Sequence, residues 1–145
     1  MNKYDVIIIG SGPVGLSLAK SLSNESFSVC VIDRQTKDDL ANPAYDGREV
    51  AITHFSKRIL KDIGSWDLID QRCISHLKEA KVINGHSPYS LHFNFEETNQ
   101  TTLGYLIPND RIKSAIFSSI NDDQMISFKE KASSKTFSIN SDGVE

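Results

Sequence analysis

The sequence predicts an α/β fold that opens on a βαβ unit, and three features carry that prediction. An apolar run, Tyr4-Asp5-Val6-Ile7-Ile8-Ile9, breaks into the glycine pattern Gly10-Ser11-Gly12-Pro13-Val14-Gly15. A helix-like stretch follows, and a second apolar run closes on the carboxylate of Asp33. Each glycine has a separate physical task. Gly10 lets the chain turn tightly out of the strand, Gly12 lets backbone approach a pyrophosphate, and Gly15 lets the helix pack close to the strands. A pyrophosphate then sits at the helix N-terminus, where unpaired N–H groups and the positive end of the dipole face it. Asp33 falls about twenty residues past the glycines, where an acid accepts hydrogen bonds from a ribose hydroxyl. A carboxylate there disfavours a 2′-phosphate, which leaves FAD or NAD as the ligand. The neighbouring Arg34 either lies along the adenine or is solvated.

The remaining elements follow in chain order. Residues 4–9 read as a buried parallel strand, 13–23 as the crossover helix with Pro13 near its start, and 27–32 as the second strand. Residues 34–49 form a polar loop rich in Asp, Asn, Pro and Gly. Ile52, Phe55, Ile59 and Ile63 recur at helical spacing and predict a helix that Gly64 stops. Trp66, Leu68 and Ile69 make a short further turn that packs back onto that helix. From Leu77 the period changes to two. Residues 78–83 and 89–95 read as strands of a half-exposed antiparallel sheet, joined through Asn84-Gly85. Tyr89, Leu91, Phe93 and Phe95 are then sheet core, or alternatively the lining of an apolar substrate site. Residues 102–107 form a third strand that Pro108 ends, and Asn109 is placed to cap a helix over 110–120. Ile112, Ala115, Ile116 and Ile120 share one face of it. Residues 125–129 and 135–139 are further strands, with a turn at 140–143.

Composition narrows the function classes. The chain has 145 residues and a net charge of −3, which suits one domain with a small subdomain. No basic stripe points to nucleic acid. Cys30 and Cys73 lack metal-ligand spacing, and Cys30, inside the second apolar run, reads as a small buried hydrophobe suited to a reducing compartment. His54, His76, His86 and His92 show no metal spacing either, so a solvated or hydrogen-bonded role fits them and no metal site is expected. No G-x-S-x-G or H-E-x-x-H pattern gives hydrolase chemistry a foothold. The first apolar run is too short for a signal peptide, and no segment is long enough to span a bilayer.

A second block is more specific. Asp46-Gly47-Arg48-Glu49-Val50-Ala51-Ile52 leads through Ser56-Lys57-Arg58-Ile59-Leu60 to Gly64-Ser65-Trp66. A third match runs from Gly104-Tyr105-Leu106-Ile107 into Asn109-Asp110-Arg111-Ile112. In these motifs the chain resembles the N-terminal part of the flavin-dependent aromatic hydroxylases, and most closely their ubiquinone-biosynthesis branch. The resemblance implies a Rossmann-like FAD-binding βαβ domain with part of an antiparallel-sheet substrate subdomain. It divides the chain into a first FAD-binding part over 1–74, the start of the substrate sheet over 75–107 and a return to the FAD-binding domain over 108–145. The family's D-G and G-D segments are expected beyond Glu145, so the chain is read as a front portion.

By the same resemblance, Gly10, Gly12, Pro13, Val14 and Gly15 touch the pyrophosphate, and Asp33 and Arg34 the adenosine half. Arg48 reaches the pyrophosphate or ribityl region, and Arg111 the diphosphate side. A planar guanidinium suits that role because it holds two phosphate oxygens at once. Asn109 and Asp110 read as helix-start residues. The implied reaction moves one atom of oxygen onto a polyprenylphenol-type ring, with FAD as cofactor and NAD(P)H or another reductant as electron donor. No catalytic side chain is assigned, because the cofactor carries that chemistry. A lipophilic phenol and oxygen are the expected partners, in the cytoplasm or at the periphery of the inner membrane, with a biosynthetic complex as a further partner. Unpaired strand edges also predict self-association, a homo-oligomer. Two other classes stay open at this point: a nucleotide-binding module without chemistry of its own, and an NAD-linked dehydrogenase.

Overall fold

A computed structural model of the chain describes residues 3–134, 139–140 and 143–144. The first apolar run forms β1 (Val6–Ile9), the stretch after the glycines forms α1 (Pro13–Asn24), and the second run forms β2 (Val29–Ile32). β1 and β2 pair in parallel, Val6 opposite Val29 and Ile9 opposite Ile32. A third parallel strand, β8 (Ile126–Lys129), adds to the far side of β2 and gives the order β1-β2-β8. β2 is central and carries Val29, Cys30 and Val31 out of solvent. β1 departs from the fully buried strand expected of it. Ile8 is buried on the α1 side, but Ile7 and Ile9 point the other way and are exposed. An edge strand alternates between two faces, and only one of these is covered by a helix.

Residues 34–49 are not all loop, as the polar composition suggested. Thr36 and Asp39 close a reciprocal capping box, Asp39 N–H donating to Thr36 Oγ1 at 3.1 Å and Thr36 N–H to Asp39 Oδ2 at 2.8 Å. This starts the short helix α2 (Lys37–Ala41), which buries Leu40. The chain then enters β3 (Glu49–Ile52) and α3 (His54–Asp62), capped by Thr53. Ile52 therefore lies in a strand rather than in the helix. Phe55 is 61% exposed, and the buried face runs instead through Leu60 to Ile63. Gly64 ends the helix at φ +73° as its position suggested. Trp66–Leu68 make one 3-10 turn that buries Trp66.

Three strands form a second, antiparallel sheet. β7 (Gly104–Pro108) lies in the centre, between β3 and β4 (Ser75–Leu77). Glu49 sits opposite Pro108 and Ile52 opposite Tyr105, so the second sheet is stitched from segments distant in the chain. Tyr105 organises its covered face. Its ring meets those of His54, Trp66 and His76 edge-on at 5.6, 5.3 and 5.3 Å. Lys57 Nζ lies 4.2 Å from its ring centroid and donates to its hydroxyl at 2.8 Å.

β5 (Glu79–Ile83) and β6 (Ser90–Asn94) pair only with each other. Tyr89, Leu91 and Phe93 are exposed, which corrects their assignment to a sheet core. Among the described residues no third strand joins this ribbon, and Val82, Leu91 and Phe93 on one face of it are exposed. α4 (Asn109–Ile120) follows β7 and buries Ile112, Ala115, Ile116, Phe117 and Ile120 against α1 and α2. Pro108, not Asn109, occupies the cap position. β9 (Ile139–Asn140) and β10 (Gly143–Val144) pair antiparallel. Residues 135–138 of the expected strand, and 141–142 of the expected turn, lie outside the described residues.

The face assignment in α3 is directly measurable. Leu60→Ala, emptying a buried position, is expected to lower unfolding free energy by about 2–4 kcal/mol. Phe55→Ala is expected to cost less than about 1 kcal/mol. Urea unfolding of the two variants separates the alternatives, and equal losses overturn the assignment.

Candidate cofactor site

The glycine loop takes the form its residues require. Gly10 sits at φ +107°, a conformation open to glycine and strained for other residues, and its N–H donates to the Ile32 carbonyl at 2.9 Å. A Cβ on Gly15 would fall inside contact distance of the Gly10 carbonyl oxygen, so α1 can approach β1 this closely only with glycine there. Gly12 is the N-cap of α1 at φ −71°, ψ 173°, and no side chain caps the helix. A Cβ on Gly12 would meet nothing within 4 Å. The first N–H groups of α1 therefore face open space, with Pro13 beginning the helix and Val14 83% exposed beside them. That is an anion cradle: unpaired donors, the positive end of a dipole and no side chain in the way.

Asp33 is held against this loop. Ser11, fully buried, donates both its N–H (2.6 Å) and its hydroxyl (2.7 Å) to Asp33 Oδ2. Gln35 N–H donates to Oδ1 at 2.9 Å, and the Arg34 backbone N–H adds a further hydrogen bond to the carboxylate. Burial pushes the Asp33 carboxyl up. The hydrogen bonds from Gln35 and Ser11 outweigh it, and the group ends below the usual carboxylate range, ionised at neutral pH. Ser11 had no assigned role in the sequence reading. The signal was a hydroxyl between two loop glycines, opposite an acid at the next strand tip. Arg34 is exposed beside it.

The two other candidate residues lie around the start of α4. Arg48 is on the surface, with Nε 2.9 Å and Nη2 2.6 Å from Asp46 Oδ2. Asn109 Nδ2 donates to the same oxygen at 2.8 Å, and Asn109 N–H to the Arg48 carbonyl at 2.9 Å. Hydrogen bonds from the Arg48 guanidinium, then from Asn109, hold the Asp46 carboxyl far below the usual range. Gly47 makes the turn between them at φ +72°. Arg111 points outward on the first turn of α4, Nε 3.3 Å from Asp110 Oδ2. It lines a shallow groove of about 270 Å³ with Asn42, Tyr45, Asp110 and Ser114. Asp110 Oδ1 is buried without a hydrogen-bond partner. α4 also reaches the first half of the site, Lys113 Nζ donating to Gln35 Oε1 at 3.2 Å.

The structure thus brings Gly10, Gly12, Pro13, Val14, Gly15 and Asp33 into one constellation, and gathers Arg48 and Arg111 around the N-terminus of α4. His54 Nε2 lies 2.8 Å from the Thr102 carbonyl and must donate to it. Among the described residues no cluster of His, Cys, Asp or Glu has the arrangement of a metal site, and no helix is long and apolar enough to cross a membrane.

A profile of the FAD-binding-domain family matches residues 3–145. The chain belongs to that family. It is 43% identical over 117 residues to the ubiquinone hydroxylase UbiM of Neisseria meningitidis, covering 78% of this chain and 25% of that protein. It is 38% identical over 112 residues to the ubiquinone hydroxylase UbiL of Rhodospirillum rubrum, covering 77% and 26%. The chain therefore spans about a quarter of the length of these relatives. Among solved structures, the anhydrotetracycline hydroxylase OxyS of Streptomyces rimosus superposes with a TM-score of 0.74 at 19% identity, covering 97% of this chain and 27% of that one. PqsL of Pseudomonas aeruginosa, a probable FAD-dependent monooxygenase, gives 0.70 at 17% identity, covering 98% and 36%. These two likenesses establish the fold. FAD is the cofactor of the family, and the residues present fit it: an uncapped helix N-terminus, an open glycine cradle and an ionised acid at the next strand tip.

Two stability measurements test this geometry. Gly15→Ala is expected to lose about 1–3 kcal/mol or more through overpacking, whereas Gly12→Ala, which meets no neighbour and loses only the N-cap preference for glycine, costs about 1 kcal/mol or less. Ser11→Ala is expected to cost about 1 kcal/mol at pH 7, less than a fully buried charged hydrogen bond because Asp33 is partly solvated. The folded pKa of Asp33 is lowered, so its contribution is present above the unfolded value of about 3.9 and fades as pH falls through the folded one. The Ser11→Ala deficit should shrink over that acid window. A deficit that stays constant from pH 7 to pH 2 contradicts the Asp33 assignment.

Proposed function

We propose that the whole protein is a FAD-dependent monooxygenase that hydroxylates an aromatic, polyprenylphenol-type ring in ubiquinone biosynthesis. The observation that carries this reading is the open glycine cradle with Ser11-locked Asp33, in a chain 43% identical to a ubiquinone hydroxylase. FAD, reduced by NAD(P)H or another donor, supplies the oxygen-activating chemistry when bound.

The residues of this chain bind and orient. The N–H groups at Gly12, Pro13, Val14 and Gly15, less the one that proline lacks, face the diphosphate, and Gly10 shapes the turn that presents them. The ionised Asp33 carboxylate accepts from a ribose hydroxyl, and Arg34 lies alongside the adenosine. Arg48 and Arg111 bring positive charge to the diphosphate or ribityl side. Of the divisions read from the sequence, 75–107 contributes to the substrate side, where the apolar face of the β5–β6 ribbon suits a lipophilic ring. The enzyme works in the cytoplasm at the periphery of the inner membrane, where such a substrate resides, and forms homo-oligomers or joins a biosynthetic complex there.

Purified protein is expected to be yellow, with flavin absorbance, and not to hold NAD tightly in place of FAD. Arg48→Ala is expected to weaken FAD affinity roughly tenfold with little change in the stability of the cofactor-free protein. Supplied with FAD, a reductant and a prenylated phenol, the full-length protein should form hydroxylated phenol in excess of hydrogen peroxide. A colourless protein that binds NAD tightly and not FAD overturns the cofactor assignment; peroxide without product overturns the substrate class.

A further inference from the structure

The D-G-R segment contains an acid whose place next to a phosphate-facing arginine calls for explanation. A carboxylate beside a site for a diphosphate would repel it. Asp46, however, is saturated with donors. Its Oδ2 accepts from Arg48 Nε, Arg48 Nη2 and Asn109 Nδ2, at 2.9, 2.6 and 2.8 Å, and its Oδ1 accepts the Arg48 backbone N–H at 3.0 Å. The guanidinium in turn is 72% exposed, and among the described residues Asp46 is the partner that holds it.

We propose that Asp46 is a positioning residue for cofactor binding: with Asn109, it fixes the Arg48 guanidinium in one orientation and anchors it to the start of α4. This rests on the reading that Arg48 meets the FAD diphosphate. An arginine on an exposed loop otherwise loses much side-chain freedom when it engages a ligand. A partner that orders it beforehand removes that cost from binding. Asp46 engages Nε–H and one Nη2–H, so the Nη1 edge stays available for phosphate oxygens. The anchor is itself well fixed. Asn109 follows Pro108, which pairs with Glu49 in the β3–β7 ladder, and Asn109 N–H holds the Arg48 carbonyl. The arm that carries Arg48 is thereby bracketed on both sides of the guanidinium.

A double-mutant cycle on FAD affinity, using the intact protein, tests this. Asp46→Ala and Asp46→Asn are each expected to weaken FAD binding about tenfold, the scale of a charge-assisted hydrogen bond. Asp46→Asn is the informative variant, because its amide oxygen still accepts the Arg48 N–H and preserves the turn. Both losses should disappear in an Arg48→Ala background, an effect that a purely structural role for Asp46 would not produce. The melting temperature of the cofactor-free protein should change little in any of them. Unchanged or tighter FAD binding in Asp46→Asn, with Arg48→Ala weakened, overturns the positioning role alone, as do losses that persist without Arg48. Unchanged FAD binding in Arg48→Ala overturns the underlying reading of Arg48.

Discussion

The distance between α1 and the end of β1 is the constraint on which the rest of the site depends. Gly15 lies against the Gly10 carbonyl so closely that no Cβ fits, and Gly10 turns through a left-handed conformation to allow it. Because the helix begins so near the strand end, its unpaired N–H groups emerge beside the tip of β2. Ser11 can then reach Asp33 with both backbone and side chain. Widening that contact by one methyl group would displace the donors, the serine and the acid together. A tight turn, an anion cradle and an ionised acceptor are thus consequences of one close approach.

α4 performs the complementary task for the proposed second half of the site. Its buried face packs on α1 and α2, so it is fixed to the nucleotide-binding layer. Its N-terminal residues reach outward in two directions: Asn109 to Asp46 under Arg48, and Lys113 to Gln35 just beyond Asp33. The strand before it, β7, is the centre of the antiparallel sheet, and Tyr105 on that strand gathers His54, Trp66, His76 and Lys57. The two sheets therefore meet at α4, and the guanidiniums proposed to face the cofactor are carried by its first turn and by the loop it holds.

The sequence by itself determined the βαβ unit and the glycine cradle. Those features are local: the steric demands of Gly10 and Gly15 act within six residues, and an apolar run ending in an acid is a continuous string. The stop at Gly64, the face of α4 and the resemblance carried by Asp46-Gly47-Arg48 were legible for the same reason. Only the tertiary structure decided which side of each element is covered. Phe55 keeps helical spacing with Ile59 yet lies in solvent, and Ile7 and Ile9 are exposed although their strand reads as uniformly apolar. Periodicity places residues on a face; what covers that face is supplied by distant chain. The pairing of β3 with β7 and the contact of Asn109 with Asp46, 63 residues apart, have the same origin. Such contacts depend on how whole elements pack, and no local pattern in the sequence encodes them.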